Sequence, residues 1–210
     1  MKLSARDFGH VYWLGGGSGA GKSTIARRLA TEHNLQLYDT DLAMRDHGDR
    51  CPPSECPRLQ EFKDMTMDER WVERSPEEML ETFHWFNGEG FHLILEDLMS
   101  LKNGQRVIAD GFRLLPALVK PFLTSVSQAV WLIPTPEFRA AAIKCRGTVW
   151  DIPNKTSQPM RALDNLWTRD ALFTERLLRE TKVLGLPTIS VDVGHSENQS
   201  YRNVEEHFVL

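Results

Sequence analysis

The fold is decided by residues 16–23, which read Gly16-Gly17-Ser18-Gly19-Ala20-Gly21-Lys22-Ser23 and are followed by Thr24. This spacing matches the phosphate-binding pattern G-x-x-x-x-G-K-[ST] in full. The apolar run Val11–Leu14 precedes it and predicts a buried strand, and a helical pattern follows it to about His33. Glycines let several backbone N–H groups point at one anion beside a helix N-terminus, so the segment predicts a nucleotide phosphate loop.

Two side chains of this loop carry the chemistry. We expect Lys22 to reach the β- and γ-phosphates of a bound nucleotide, and Ser23 to place its hydroxyl on Mg²⁺, with Thr24 beside it. The chain contains no Asp followed three residues later by Gly, the pattern with which GTPases sense the γ-phosphate. This absence disfavours a GTPase, but it leaves ATP and GTP open as the nucleotide.

Further apolar runs alternate with helical patterns along the chain. The runs predict strands at 35–38, 107–109, 129–133 and 188–191. Strands that are apolar throughout and separated by helices are typical of a parallel sheet covered on both faces, a three-layer α/β/α fold. Cap-then-proline signals begin helices at Ser75-Pro76 and Thr135-Pro136. We expect the helix after Ser75 to end near Asn87, and other helices from about Phe91, at 162–184 and after Ser196.

Length and composition restrict the class of protein. The chain has 210 residues, a net charge of -4 and 41% hydrophobic residues, values typical of one globular domain. No apolar run approaches the ~20 residues of a membrane span, and no signal-peptide core is present, so we expect a cytoplasmic protein with no membrane partner. A general nucleic-acid binder would carry a basic excess. We expect Cys51, Cys56 and Cys145 to be reduced thiols without a role.

Carboxylates follow two of the predicted strands. Asp39 and Asp41 lie just beyond the second strand, and Asp110 ends the third. Ligands of parallel α/β sheets bind at the carboxyl ends of strands. We expect Asp41 to assist the acceptor hydroxyl, and Asp39 and Asp110 to hold Mg²⁺, partly through water. The alternative for each is a structural role in the turn that follows its strand.

Arginines follow the fourth strand. Arg139 and Arg146 precede a polar segment with two prolines, and Arg161 and Arg169 come after it. A segment that closes over a phosphate with its arginines would stabilise the transferred charge and exclude water. Arg146 and Arg169 flank the segment and are our candidates for this catalytic role. Each of these arginines has an ordinary surface salt bridge as its alternative.

The phosphate loop, Tyr38-Asp39-Thr40-Asp41, Asp110-Gly111 and the arginine-flanked segment together resemble the adenylate-kinase-like small-molecule kinases. The resemblance covers nearly the whole chain and implies a single domain with sheet order 2-3-1-4-5. It implies a core at 8–41, 104–145 and 162–210, an acceptor-side insertion at 42–103 and a lid at 146–161. Arg70 and Arg74 are candidates for the acceptor-binding arginine of nucleotide-monophosphate kinases.

The resemblance implies a Mg²⁺-dependent kinase that transfers the γ-phosphate of ATP to a small-molecule acceptor. A P-loop ATPase or switch and a nucleic-acid end kinase remain alternatives, and a homodimer stays open. The insertion is rich in aromatic residues, which either line a pocket for an apolar or planar acceptor or form the core of the insertion. They are Trp71, Phe83, His84, Trp85, Phe86 and Phe91.

Overall fold

A computed structural model describes residues 3–101, 104–146, 151–194 and 196–210, except for the side chains of 143–146. Five strands form one parallel sheet in the order β2-β3-β1-β4-β5. This is the predicted order, and each strand lies within two residues of its predicted position. The strands are β1 (Val11–Gly16), β2 (Gln36–Asp39), β3 (Val107–Asp110), β4 (Ala129–Pro134) and β5 (Thr188–Val191).

Helices cover both faces of the sheet. Their bounds are α1 (Lys22–Glu32), α2 (Met44–Arg50), α3 (Pro57–Asp64), α4 (Pro76–Thr82), α5 (Phe91–Ser100), α6 (Pro116–Val119), α7 (Pro136–Arg146), α8 (Pro159–Leu184) and α9 (Glu197–Phe208). Alternate strand residues separate two cores: Trp13 packs with α5, α6 and α8, whereas Leu14 packs with α1 and α9. Because successive side chains of a strand point to opposite faces of the sheet, each face has its own core covered by helices. The predicted three-layer fold is therefore confirmed.

The helix after Ser75 is shorter than predicted. Ser75 caps it as expected, since its hydroxyl accepts a hydrogen bond from the Glu78 N–H. The helix nevertheless ends at Thr82, because Phe83 has extended backbone, and a separate 3₁₀ turn spans His84–Asn87. This break turns Phe83 toward Phe62 while Phe86 stacks on Phe173 of α8 with ring centroids 3.8 Å apart.

The prediction of reduced thiols is wrong for two cysteines, because Cys51 and Cys56 form a disulfide. Cys51 follows α2 and Cys56 precedes α3, and the turn between them places their Cα atoms 6.0 Å apart. That separation suits a disulfide. Only the turn conformation brings the two thiols together, so their spacing in the sequence did not reveal it. The Cys145 side chain lies outside the described part of the chain.

None of the helices in the described ranges is long and apolar enough to cross a membrane.

Gly111 follows β3 at a point where the backbone passes close to β1 and to the residues after β2. Its φ is +144°, and its N–H donates to the Leu14 carbonyl of β1 over 3.2 Å. A Cβ at this position would collide with Thr40 Oγ1 and lie 3.0 Å from Asp41 Oδ1. The absence of a side chain therefore lets the ends of β2 and β3 meet.

We expect Gly111→Ala to lower the free energy of unfolding by about 2–4 kcal/mol, because it adds both backbone strain and a steric clash. Urea denaturation measures the change. Gly48→Ala in α2 is the matched control, since a Cβ there would meet no atom within 4 Å. The control should be neutral or gain up to about 1 kcal/mol. Equal stabilities for the two variants would contradict the close approach at Gly111.

Candidate nucleotide-binding and acceptor site

The phosphate loop connects β1 to α1 as the sequence predicts. Gly16 lies against β4, where a Cβ would collide with the Leu132 carbonyl oxygen, and the Gly17 N–H donates to that oxygen over 3.0 Å. Gly21 has left-handed backbone and begins α1. Lys22 is buried, and its Nζ donates to the Gly17 carbonyl over 2.9 Å. The lysine ammonium is thereby held over the loop, where a phosphate would meet it.

Asp110 is the buried carboxylate of the site. Strand register places it opposite Leu14 of β1 and Asp39 of β2. It is 1% exposed, and neither of its carboxylate oxygens has a hydrogen-bond partner among the described residues. Burial raises the pKa of Asp110 to about 6, and the neighbouring Ser23 hydroxyl and Lys22 ammonium act in the opposite direction.

These residues fit a magnesium ion. Mg²⁺ prefers hard oxygen ligands, commonly one or two carboxylates together with phosphate oxygens and water. The two unpartnered oxygens of Asp110 and the adjacent Ser23 hydroxyl supply such ligands beside the phosphate loop. Asp39 is tied more closely to the backbone, because its Oδ1 accepts from the N–H groups of Asp41 and Leu42 over 2.9 and 3.2 Å. The predicted turn-capping alternative therefore holds for one oxygen of Asp39.

Asp41 is half-buried beside the same group of charges. Burial raises its pKa, and Asp39 raises it further, while Lys22 and then Arg113 lower it. Thr40 Oγ1 contacts Asp41 Oδ1 at 3.5 Å. Lys22 and Asp110 influence each other as well, so the three carboxylates and the loop lysine form one electrostatic unit. A carboxylate with a raised pKa in such a unit suits proton transfer.

Arg113 is a site residue that sequence reasoning missed. It is 2% exposed, and its Cζ lies 4.0 Å from the centre of the Trp85 ring. Its Nη1 donates to His47 Nδ1 over 2.9 Å and to the Thr40 carbonyl over 3.3 Å. Burial lowers its pKa to about 10. The available signal was its position, three residues after the strand-end Asp110.

His47 fixes the position of the Arg113 side chain. Because its Nδ1 accepts from Arg113, its Nε2 carries the hydrogen and donates to Asp97 Oδ2 over 2.7 Å. The Tyr38 hydroxyl donates to the same carboxylate oxygen. His47 is fully buried, and burial lowers its pKa, which keeps the imidazole neutral as this bonding requires.

The arginines predicted to flank a lid lie in different environments. Arg169 is buried in α8 beside the rings of Trp71, Phe83 and Phe86, with its Cζ 5.0–5.2 Å from the ring centres. Arg161 is exposed. Arg146 ends α7, and its side chain lies outside the described part of the chain.

Arg139 lies beside the phosphate loop. A Cβ on Gly19 would lie 4.0 Å from Arg139 Cγ.

Most of the aromatic residues of the insertion lie in hydrophobic cores, which agrees with the second of the two predicted alternatives. Phe86 and Phe91 belong to the main core, Trp85 and Trp71 belong to two smaller cores, and Phe83 packs against all three. His84 Nδ1 is buried without a hydrogen-bond partner among the described residues. Ser157 of the predicted lid and Asn165 of α8 both contact this region, since the Ser157 N–H donates to Asp68 and Asn165 donates to the Trp71 carbonyl.

Comparisons with known proteins concern the fold. TT1252 from Thermus thermophilus has a TM-score of 0.50 and 14% identity, over 95% of each chain. Deoxyadenosine kinase from M. mycoides with bound dATP has a TM-score of 0.48 and 15% identity, over 95% of this chain and 99% of that one. NadR in complex with NR has a TM-score of 0.44 and 14% identity, over 98% of this chain and 53% of that one.

No family model matches the sequence, and no curated protein matches it. The likeness to TT1252, together with the phosphate loop and the sheet order, supports the P-loop nucleotide-binding fold predicted from the sequence. Activity is therefore inferred below from the site residues.

The raised pKa of Asp110 predicts a pH dependence of stability. An unperturbed Asp titrates near ~4, so between pH ~4 and ~6 the folded chain holds a proton that the unfolded chain has lost. The contribution of Asp110 to stability is therefore present at low pH and declines as pH rises, by at most about 3 kcal/mol.

Asp110→Asn should remove this decline, so without ligand the variant should be more stable than the wild type above pH ~6. Urea denaturation across this pH range measures the difference. The exposed Asp164→Asn is the control and should follow the wild type. An Asp110→Asn variant that is less stable than the wild type at neutral pH would contradict the conclusion that burial of the Asp110 carboxylate destabilises the folded chain.

Proposed function

We propose that the protein is a Mg²⁺-dependent kinase that transfers the γ-phosphate of ATP to a hydroxyl group of a small-molecule acceptor. The main support is the buried Asp110 carboxylate, which has no hydrogen-bond partner among the described residues and lies beside Lys22 and Ser23 of the phosphate loop. A buried, unpaired carboxylate is costly in a protein. Its retention at this position is accounted for by a cation that arrives with the nucleotide.

Each residue then has a distinct task. Ser23 and Asp110, with Asp39 through water, would hold Mg²⁺, which when bound neutralises charge on the β- and γ-phosphates. The backbone of residues 16–21 cradles the phosphates, and Lys22 exchanges its bond to the Gly17 carbonyl for phosphate oxygens. Arg146 remains our candidate for an additional cation at the moving phosphate.

Asp41 acts on the acceptor. It orients the acceptor hydroxyl and takes its proton as the hydroxyl oxygen attacks the γ-phosphorus. The bond from that phosphorus to the bridging oxygen of ADP breaks, and ADP leaves. The pKa of Asp41 is raised by burial, which strengthens it as a base, and Arg113 restrains the Thr40 carbonyl next to it. Arg113 therefore acts as a positioning residue for Asp41.

The requirement for a small-molecule acceptor distinguishes the proposed kinase from the two alternative functions. A P-loop ATPase or switch would release ADP rapidly without any acceptor. A nucleic-acid end kinase would phosphorylate an oligonucleotide, for which the net charge of -4 offers little attraction. We further infer a cytoplasmic location, because that compartment supplies ATP. The disulfide between Cys51 and Cys56 is uncommon there, so the thiol content of the protein isolated from cells is a direct check.

Lys22→Ala should weaken binding of Mg-ATP by at least about tenfold, because the variant loses a charge-assisted contact to the phosphates. Isothermal titration calorimetry measures the affinity. Lys182→Ala, an exposed lysine in the last turn of α8, is the charge-matched control and should bind as the wild type does. Unchanged affinity in Lys22→Ala would remove the phosphate loop from the mechanism.

Asp41→Asn should keep the affinity for Mg-ATP and lower the transfer rate by ~10² or more, since it loses the base but not the phosphate loop. A screen of metabolites and antibiotics for acceptor-dependent release of ADP first identifies a working acceptor, and the same assay then measures the variant. Asp46→Asn, an exposed aspartate of α2, is the control. A transfer rate equal to the wild type would reassign Asp41 to turn structure.

A further inference from the structure

We propose that Cys51 and Cys56 form a thiol–disulfide exchange site, at which a dithiol reductant reversibly opens the disulfide and thereby loosens the acceptor side of the site. The effect on phosphate transfer rests on the proposed kinase function, whereas the exchange reaction itself does not. The proposal is supported by the position of the disulfide, by its neighbours and by the access of solvent to its two sulfurs.

The disulfide links the ends of two short helices. Cys51 directly follows α2, and Cys56 directly precedes α3. The Cys51 N–H also donates to the His47 carbonyl over 2.9 Å. The same cysteine therefore ends the backbone hydrogen bonding of α2 and ties this helix to α3 through sulfur. Reduction would remove that covalent link and give the turn between the helices more conformational freedom.

Both groups that position Arg113 adjoin the disulfide. His47, whose Nδ1 accepts from Arg113 over 2.9 Å, lies one turn before Cys51 in α2. Trp85, whose ring centre lies 4.0 Å from Arg113 Cζ, belongs to the same small buried core as Cys51 and Cys56. A change at the disulfide therefore reaches Arg113 from two sides.

Arg113 connects this region to the acceptor base. Its Nη1 donates to the Thr40 carbonyl over 3.3 Å, next to Asp41. The phosphate loop of residues 16–23 is held separately, by the pairing of β1 with β4 and by the bond from the Gly17 N–H to Leu132. We therefore expect reduction to disturb the acceptor side of the site and to spare nucleotide binding.

Helix α2 depends on tertiary contacts for its position. It has seven residues, of which His47 and Gly48 are buried, and helices this short are marginal on their own. His47 donates to Asp97, and Lys63 donates to the Gly48 carbonyl. Arg50 pairs with carboxylates of α2 and α5 but is exposed, and exposed ion pairs contribute little. The disulfide is thus a main restraint on α2.

The two sulfurs differ in their access to solvent, which determines the order of the exchange steps. Cys51 is 7% exposed and Cys56 is 1% exposed, and residues 52–55 between them are all exposed. An incoming thiolate therefore meets Cys51 Sγ first. The sulfur that leaves is that of Cys56, at the N-terminal end of α3, where the helix dipole favours a negative charge.

The exchange is a balanced two-electron reaction. A thiolate of the reductant bonds to Cys51 Sγ, the S–S bond breaks, and Cys56 leaves as a thiolate that takes up a proton. The second thiolate of the reductant then bonds to its first sulfur and displaces Cys51, which is protonated in turn. The reductant gives up two protons and two electrons and becomes a disulfide. The reverse reaction consumes a disulfide oxidant.

The setting of this disulfide favours regulation over permanent stabilisation. The cytoplasm, where we infer that the protein acts, keeps most cysteines reduced, and disulfides that form there are usually transient or redox-sensing. The two cysteines are five residues apart in the chain, so their link restrains a local turn rather than distant parts of the fold. Because the link holds α2 in place, the oxidised chain is the active form.

A redox titration of the full chain tests the exchange site. The protein is equilibrated under native conditions in mixtures of reduced and oxidised dithiothreitol, free thiols are alkylated, and mass spectrometry locates the alkylated cysteines. We expect Cys51 and Cys56 to become alkylated together and reversibly, in one two-electron transition. A pair that dithiothreitol reduces only after denaturation, or a pair that forms no disulfide in any mixture, would overturn the proposal.

Hydrogen exchange tests whether reduction loosens α2. The backbone N–H groups of His47 and Cys51 donate within and at the end of this helix. Their exchange should become at least about tenfold faster in the reduced chain, whereas exchange in β1 and β3 should not change. Equal exchange of α2 in the two redox states would contradict the link between the disulfide and Arg113.

Acceptor-dependent release of ADP measures the effect on transfer, with an acceptor identified by the metabolite and antibiotic screen. Reduction should lower the transfer rate at least about tenfold, because the acceptor base loses its fixed position, and should leave the affinity for Mg-ATP unchanged. Cys51→Ser should have the low rate in both redox states, and the control Cys145→Ser should keep the response to reduction. If Cys51→Ser does not fold, the wild-type chain in its two redox states still provides the test.

These measurements separate the redox proposal from the kinase proposal. A chain that exchanges its disulfide and loosens α2 but binds no Mg-ATP would contradict only the kinase. A chain that transfers phosphate at equal rates in both redox states would contradict only the redox control.

Discussion

The site depends on one constraint, the parallel pairing of β1 with β3 and β4. Pairing with β4 presses Gly16 onto the Leu132 carbonyl and so determines where the phosphate loop begins. Pairing with β3 brings Asp110 level with Leu14, directly below that loop. The same hydrogen bonds that build the sheet therefore bury a carboxylate against Lys22 and Ser23. Without a ligand, three carboxylates of the site face the single loop lysine and Arg113, and Mg²⁺ with a nucleotide is the ligand that best balances them.

The two ends of the site carry opposite charges. Carboxylates gather at the ends of β2 and β3, whereas arginines gather around His84 and the rings of the insertion. Arg113 stands between the two groups, held by His47 and stacked on Trp85. A molecule that spans the site would thus meet a base at one end and cations at the other, an arrangement that orients it in a single direction.

The fold could be predicted because its signals are local. The phosphate loop, the apolar strands and the cap at Ser75 each rest on a few adjacent residues. Arg113 and His84 could not be recognised in the same way, since their roles depend on burial and on partners from distant segments such as His47 and Arg169. The disulfide was missed for a similar reason, because the turn between Cys51 and Cys56 has no distinctive spacing. The early end of α4 depends on where Phe83 and Phe86 pack, which is a tertiary effect.

The most direct test of the central claim is a crystal structure of the protein with Mn²⁺ and a non-hydrolysable ATP analogue, in which the metal is located by its anomalous signal. Manganese takes the same oxygen ligands as magnesium. We predict the triphosphate within the loop of residues 16–23, Lys22 Nζ on its β- and γ-phosphates, and the metal between the Ser23 hydroxyl and Asp110. A triphosphate bound elsewhere, or a metal without Asp110 in its first or second coordination sphere, would contradict the account.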